Sequence, residues 1–559
     1  MRLAVVAALV LTACTGRTLV VSGDASHDVP IEAESLLEAG DAVDDTADDP
    51  DAALPVTVMT AAGSVIGNRS GEAAAFLGIP FAESPVGPLR WRPPVARHAW
   101  STPFDARALG NVCPQANVPA TPDASRPRSE DCLNVNVWTP SLVPAAPLPV
   151  MVYVHGGNFN TGDNGEPLYD GTSLATNGRV VIVSINYRLG PIGFFAHPLL
   201  ATEDAEHHVS GNYGFLDQVL ALQWVRDNVR AFGGDPANVT LFGESAGSMS
   251  VCGHLASPLS RGLFQRAIMQ SGTCSFIGGT LRDGADAPYE SAEAFGQRFA
   301  TSLHCDTQPD PIACMRNVSA ADLMAAIPTM SDFQMHVPRF WPVIDGYVFP
   351  ESPWLAATAS PPRIADVPLV LGTNHDEANL FVIRMLVTDE ASYRAAAVAL
   401  FGTHSDEAIA AYPLSDFDMP KAAVSQMMTD LVFACPTRTI AQSLARAGRH
   451  VWLYEFAGVP PLARMFNFGS AHGMELPYVF GIRNGTFALR AADLPLSAEM
   501  QGYWSRFAIS GDPSAADAIA WPRYDASMDL WLSLENATHT ATGDGAHRCT
   551  AIRDWLAPL

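Results

Sequence analysis

The 559-residue sequence contains no C-x-x-C pair and no H-E-x-x-H segment, the spacings that bring zinc ligands together, so a metal centre is not expected. Positive charge is scarce: 33 Lys and Arg stand against 58 Asp and Glu, a formal net charge of −25. Phosphate binding needs a basic surface, and this balance argues against nucleic acid as a partner. Beyond the first fourteen residues no apolar run is long enough to span a bilayer. From Pro55 onward no internal repeat or long linker interrupts the chain, so residues 55–559 are expected to form one large domain rather than several.

The charge is unevenly spread. Between Thr15 and Leu54 eleven acids face the single Arg17, whereas from Pro55 onward 47 acids face 31 bases, a mild excess for that length. The acidic stretch lacks sustained apolar periodicity and reads as a disordered tether over 15–54. Ahead of it, "MRLAVVAALVLTAC" has a charged start, a short apolar run and small residues ending at Cys14, the pattern of an export signal over 1–14. Its "LTAC" resembles the lipobox of bacterial lipoproteins, which implies lipidation of Cys14 and attachment to a membrane of the bacterial cell envelope, outside the cytoplasm. An ordinary signal peptide cut nearby is the alternative. Nine cysteines suit an exported protein, and setting Cys14 aside leaves an even eight. Spacing suggests bridges Cys113 to Cys132 and Cys305 to Cys314, each contributing roughly 2–4 kcal/mol if unstrained. Cys252, Cys274, Cys435 and Cys549 cannot be paired by spacing.

Short β-branched runs alternate with longer mixed segments: "PVMVYVH", "VVIVSINY", "VTLF", "RAIMQSG", "VPLVLGT" and "HVWLYEF". Near-continuous apolar runs of this length suit strands covered on both faces, as in a mainly parallel sheet with crossover helices. "GFLDQVLALQWVRDNVRAF" is expected to be such a helix, with Leu216, Val219, Leu220, Leu222, Gln223, Val225 and Val229 forming its inward stripe. Ligands in such sheets sit at the carboxyl ends of the strands.

That is where "VTLFGESAGSMSV" falls. A strand-like run breaks at Gly243-Glu244-Ser245-Ala246-Gly247 and continues as a plausible helix, the strand-turn-helix setting in which G-x-S-x-G exposes a nucleophilic serine. The flanking glycines remove Cβ atoms that would clash in so sharp a turn. A serine hydroxyl needs a base and an orienting carboxylate. On sheets of this kind the acid and then the histidine follow the serine in the chain. "LVLGTNHDEANLF" offers His375, Asp376 and Glu377 after one strand, and "NFGSAHGMELPYVFG" offers His472 in a Gly-rich loop after another.

From about Val56 to near residue 559 the sequence resembles the type-B carboxylesterases, the α/β-hydrolase family that includes cholinesterases. The likeness rests on a series of motifs in order: "LGIPFAESPVGPLRWRPP", "SEDCLNVNVWTP", "VYVHGGNFNTGD", "INYRLGPIGFF", "GESAGSMSV", "SPLSRGLFQRAIMQSG", "WPVIDGYVFPESP", "SAHGMELPYVFG" and "YWSRFAISGDP". It implies Ser245 as nucleophile, Glu377 as the acid in preference to Asp376, and His472 as base. The backbone amides of Gly157, Asn158 and Ala246 are implied as the oxyanion hole. Asn158 departs from the family, which usually has a third glycine there. Asparagine tolerates unusual φ better than most residues, and the donor is a backbone amide. Glu244 is expected beneath the site, favouring a protonated His472, or else as a structural buried acid. Arg90 with Glu130 and Arg188 with Asp217 resemble the family's internal ion pairs.

The expected activity is hydrolysis of carboxylic esters through an acyl-enzyme, without metal or organic cofactor, on a small-molecule ester. A cholinesterase-like or lipase-like enzyme and a binding or adhesion module are the alternatives on this fold, since fold alone does not set substrate. A complete Ser, Glu and His set argues against a mere binding module. The Cys113 to Cys132 loop contains no Trp, Tyr or Phe to receive a quaternary ammonium on an aromatic face. Neutral short- to medium-chain aryl or alkyl esters are therefore the expected substrates, unless Phe340 or Trp341 supplies the missing aromatic face.

Overall fold

The computed structural model describes residues 54–552 apart from 116–125, 278, 283–289, 328–339 and 516–517. Cys14, the export signal and all of the tether but Leu54 lie outside the described residues. The strands are β1 (Leu54–Thr60), β2 (Gly63–Ser70), β3 (Ala73–Pro80), the short β4 (Phe104–Asp105), β5 (Asn134–Thr139), β6 (Leu148–Val154), β7 (Val181–Ile185), β8 (Gly234–Glu244), β9 (Arg266–Gln270), β10 (Leu369–Asn374), β11 (Val451–Phe456), β12 (Leu530–Leu534) and β13 (His539–Thr542). They form one sheet in the order β1-β2-β3-β5-β7-β6-β8-β9-β10-β11-β12-β13, with β4 beside β2. From β7 to β12 every pairing along this path is parallel, while β1, β2, β3 and β5 at one end and β13 at the other are antiparallel to their neighbours.

The apolar runs seen in the sequence are the parallel strands, and the reason is visible in their alternation. Val150, Val152 and Val154 of β6 enter one core layer with Val181, Val183, Val239 and Leu241. Met151 and Tyr153 point the other way, into a layer with Ile182, Phe242, Ile268, Val370 and Trp452. Both faces are covered, so along Val150–Val154, Val181–Ile185 and Val239–Glu244 every residue is buried. The terminal antiparallel strands mix polar with apolar residues and carry no such signal; β1 has the burial of a strand wet on one side.

The helix Tyr213–Asn228 follows the expected run, with Val229–Phe232 as a tighter final turn. Its buried surface is wider than the apolar stripe predicts: Asp217 and Gln218 are fully buried, and only Arg226 and Asp227 are exposed. Gln218 donates to Ser250 Oγ (3.1 Å) and meets His254 Nε2 (3.0 Å) on the helix Ala246–Ala256, so its polar head is met from a second side. Asp217 accepts Arg188 Nε (2.8 Å), Arg188 Nη2 (2.7 Å) and the Arg188 amide (3.0 Å), with both side chains fully buried. Arg90 is similarly held by Glu130 (2.7 Å) and by the carbonyls of Arg316 and Val318.

Four disulfides join Cys113 to Cys132, Cys252 to Cys274, Cys305 to Cys314 and Cys435 to Cys549. The second and fourth are the pairs that spacing left open. Beside the fourth, His547 is buried between Asp430 (2.6 Å) and Glu455 (2.8 Å). Burial opposes its charge, but the two carboxylates outweigh that and push its pKa up to about 10.

Removing one partner of a buried, hydrogen-bonded ion pair leaves an uncompensated charge. Asp217→Asn is therefore expected to destabilise the fold by roughly 3–5 kcal/mol, measured as a lowered urea midpoint. Surface Asp227→Asn, on the same helix, should stay within about 0.5 kcal/mol of wild type.

Candidate active site

β8 ends at Glu244 and the helix Ala246–Ala256 begins two residues later, so Ser245 alone makes the turn. Its backbone has φ 57° and ψ −123°, a region sparsely populated by residues with a side chain, and its amide is tied to the Gln270 carbonyl of β9 (2.9 Å). The glycines on either side are sterically required. A Cβ on Gly243 would lie 2.5 Å from the carbonyl carbon of Gly247, and one on Gly247 would lie 1.9 Å from the Val154 carbonyl oxygen. The sharp turn leaves Ser245 partly exposed at the carboxyl end of the strands.

Glu377 sits just beyond the end of β10 and is fully buried. Its Oε1 accepts the Asn374 amide (2.8 Å) and its Oε2 accepts His472 Nδ1 (2.7 Å). The neighbouring Asp376 turns away: it accepts the Ser470 amide (3.0 Å) and pairs with His375 (3.2 Å). Of the two carboxylates only Glu377 meets the His472 ring, while Asp376 shapes the loop that carries it. Among the described residues no hydrogen bond joins Ser245 Oγ to His472; the free ring nitrogen, Nε2, faces Glu244 Oε1 at 3.2 Å. Such contacts are commonly loose before substrate arrives.

Glu244 thus touches the imidazole directly, on the edge opposite Glu377. Burial pushes its carboxyl upward, opposed by the His472 charge and reinforced by Glu475 and Glu377. Burial would also discharge His472, but Glu244 first and then Glu377 outweigh it and hold the imidazole above its usual range. Each group's charge thus favours the charged form of the other.

Several neighbours carry no isolated sequence signal. Glu475, three residues after His472, is fully buried and accepts from Gln270 Nε2 (3.0 Å) and Asn374 Nδ2 (2.7 Å). The motif "SAHGMELPYVFG" contains it without marking it as a site residue. Phe381 and Phe433 pack beside the His472 ring at 5.2 and 5.0 Å. Phe433 lies on a π-helical segment, Thr429–Ala434, whose Thr429 hydroxyl accepts the Ala378 amide (3.1 Å). Nothing local in that segment announces proximity to a histidine forty residues away.

The loop after β6 turns through Gly157 (φ 100°), Asn158 (φ 59°) and Phe159 (φ 57°). Among the described residues the amides of Gly157, Asn158 and Ala246 donate to no other group, and Ala246 opens a helix whose first amides lack intrahelical acceptors. Gly156 brings this loop against the elbow, since a Cβ there would lie 3.0 Å from Ser245 Cβ. A hydroxyl on a strained turn, one residue beyond a carboxylate that meets an imidazole oriented by Glu377, suits nucleophilic attack at a carbonyl, and free amides suit the oxyanion that attack creates.

A mainly parallel sheet with helices on both faces, and a serine elbow at its strand ends, define an α/β-hydrolase. The sequence model of the Carboxylesterase family matches residues 55–552, and the chain belongs to that family. It is 36% identical over 502 residues to the fumonisin B1 esterase of Sphingopyxis macrogoltabida, covering 87% of each chain. To the para-nitrobenzyl esterase of Bacillus subtilis (strain 168) it is 37% identical, covering 86% of this chain and 96% of the relative. The acetylcholinesterase of Bungarus fasciatus is 33% identical, with 87% and 84% covered.

Glu377→Gln is expected to lower kcat on a p-nitrophenyl ester by at least about 100-fold, because the His472 tautomer and orientation lose their anchor. Asp376→Asn should cost less than about tenfold; the reverse order would reassign the acid. Glu244→Gln removes the leading charge that raises His472, so the imidazole loses its proton at lower pH. The acid limb of the kcat/KM profile is expected to move to lower pH, with a moderate fall in kcat.

Proposed function

We propose that this carboxylic ester hydrolase acts through an acyl-enzyme in which Ser245 is the nucleophile, His472 the general base and acid, and Glu377 its orienting carboxylate. Ser245 Oγ adds to the ester carbonyl as His472 Nε2 takes its proton, and the alcohol leaves with that proton. Water, deprotonated by the same nitrogen, then releases the acid. Charge on the carbonyl oxygen is met by the amides of Gly157, Asn158 and Ala246. The observation that carries this reading is the 2.7 Å bond between His472 Nδ1 and Glu377, with Ser245 on the left-handed elbow alongside. The esterases among its relatives support the reaction class.

For substrate, the reading is a neutral short- to medium-chain aryl or alkyl ester. The Cys113 to Cys132 loop has no aromatic residue, and of the two candidates to replace one, Phe340 is buried against Phe295 and Phe299. Trp341 is partly exposed, but its indole N–H is engaged with the Asn158 carbonyl (3.0 Å). A choline ester would pay for stripping water from its cation without an aromatic platform to offset it, a contribution of roughly 0.5–2 kcal/mol where present. For location, the "LTAC" at Cys14 supports a lipid-anchored protein of the bacterial cell envelope.

In a panel of p-nitrophenyl esters from acetate to palmitate, the expected optimum lies at short or medium acyl length. A neutral ester should exceed the matched choline ester in kcat/KM at physiological salt. Ser245→Ala should abolish both turnover and labelling by a fluorophosphonate probe. A preference for the choline ester would overturn the substrate reading, and labelling retained by Ser245→Ala would move the nucleophile elsewhere.

A further inference from the structure

Three consecutive residues, Gly157, Asn158 and Phe159, have positive φ, and two of them bear side chains. Such backbone is rare for a bulky residue and persists only where the surroundings over-determine it. The carbonyls of this loop show what does so. In a planar trans peptide the C=O and the following N–H point in opposite directions, so tying one aims the other. The Gly156 carbonyl meets His155 Nδ1 (2.8 Å), and the Gly157 carbonyl accepts the amides of Asn160 (3.0 Å) and Thr161 (2.9 Å). These bonds aim the amides of Gly157 and Asn158 away from the body of the loop.

The Asn158 carbonyl is held from outside the loop, as the Phe159 carbonyl is by the Gly190 amide (2.7 Å). Trp341, 183 residues further along the chain, donates its indole Nε1–H to it at 3.0 Å, and the Asn160 side-chain amide donates at 2.6 Å. The same indole meets the buried Phe159 ring edge-on, with centroids 6.1 Å apart. One side chain therefore grips both non-glycine residues of the left-handed turn.

We propose that Trp341 is a positioning residue of the oxyanion hole: its indole N–H holds the Asn158 carbonyl, fixing the peptide plane on the far side of the Asn158 α-carbon from its amide, and so keeps Asn158 at the positive φ at which that amide is aimed at the carbonyl oxygen of a bound ester. The proposal rests on the esterase reading above. A residue with a Cβ gains more than glycine by relaxing to negative φ, and relaxation at 158 would swing its amide out of the site. With asparagine at 158, the turn depends on an external clamp; with glycine it depends on one less.

The test is a double-mutant cycle of Trp341→Phe, which keeps an aromatic ring and deletes the donor, with Asn158→Gly. On a short p-nitrophenyl ester, Trp341→Phe is expected to lower kcat by roughly 5- to 10-fold, the effect of one hydrogen bond, with KM within about twofold. Fluorophosphonate inactivation, which places a phosphoryl oxygen in the same hole, should slow in proportion. In the Asn158→Gly background the same substitution should cost clearly less. An unchanged kcat for Trp341→Phe would overturn the proposal, as would an equal loss in both backgrounds, the result expected of general destabilisation. If Trp341→Phe does not fold, Asn160→Ala removes the other donor to the same carbonyl and is read in the same two backgrounds by the same criteria. A wild-type protein that neither hydrolyses esters nor takes up the probe would instead refute the esterase reading, and so is told apart from a failure of the clamp.

Discussion

The site depends on how closely the first turn of the helix Ala246–Ala256 sits against the end of β6. Only hydrogen on the α-carbon of Gly247 allows the Val154 carbonyl to approach as it does. That contact fixes two things together. It sets the elbow that lifts Ser245, and it sets the point from which His155, Gly156 and the left-handed loop depart. The two halves of the proposed oxyanion hole, one from a helix start and one from a loop almost ninety residues earlier, therefore share a common reference. Their relative position is set by backbone packing, which is stiffer than any side-chain contact.

A second constraint is electrostatic. Glu244, Glu377 and Glu475 are all buried around one histidine, and carboxylates are expensive to bury without compensation. The compensation is divided. Glu377 takes a backbone amide and the imidazole, Glu475 takes two side-chain amides, and Glu244 has the imidazole edge alone. Among the described residues the carboxylate of the three with the poorest hydrogen bonding is the one facing His472 Nε2, the nitrogen proposed to carry the proton. Its charge is consequently the most readily altered by what happens at that nitrogen, whereas Glu377 is held as a fixed orienter.

Much of this was legible in the sequence because it is local. The parallel strands are continuous apolar runs, and the elbow, Glu377 and His472 each sit within a short recognisable stretch. What was hidden is long-range. Gln218 looks like part of a polar face on the helix Tyr213–Asn228, and becomes buried because Ser250 and His254 arrive from another helix. Phe381 and Phe433 reach His472 only through tertiary packing. Cys252 and Cys435 have partners that no spacing rule selects. The edge strands β1 and β13 carry mixed sequences because they are partly exposed, whereas β5 is buried but alternates asparagine with apolar residues. Phe340 and Trp341, adjacent in sequence, part company in space: one is core and the other meets the left-handed loop at Asn158.

The bridge from Cys435 to Cys549 closes 114 residues of chain. It fastens the short helix Cys549–Ile552 to the residue that ends the π-helical segment carrying Phe433. His547, two residues before the bridge, neutralises Asp430 within that same segment. During synthesis, residues 429–435 emerge more than a hundred residues before the groups that complete their surroundings. Until then Asp430 has no imidazolium partner and Cys435 has a free thiol. The aromatic wall of His472 is thus completed late, and a chain stopped short of residue 547 would carry Ser245, Glu377 and His472 while missing the support behind the imidazole. Completion of the polypeptide is in this sense built into the assembly of the active site.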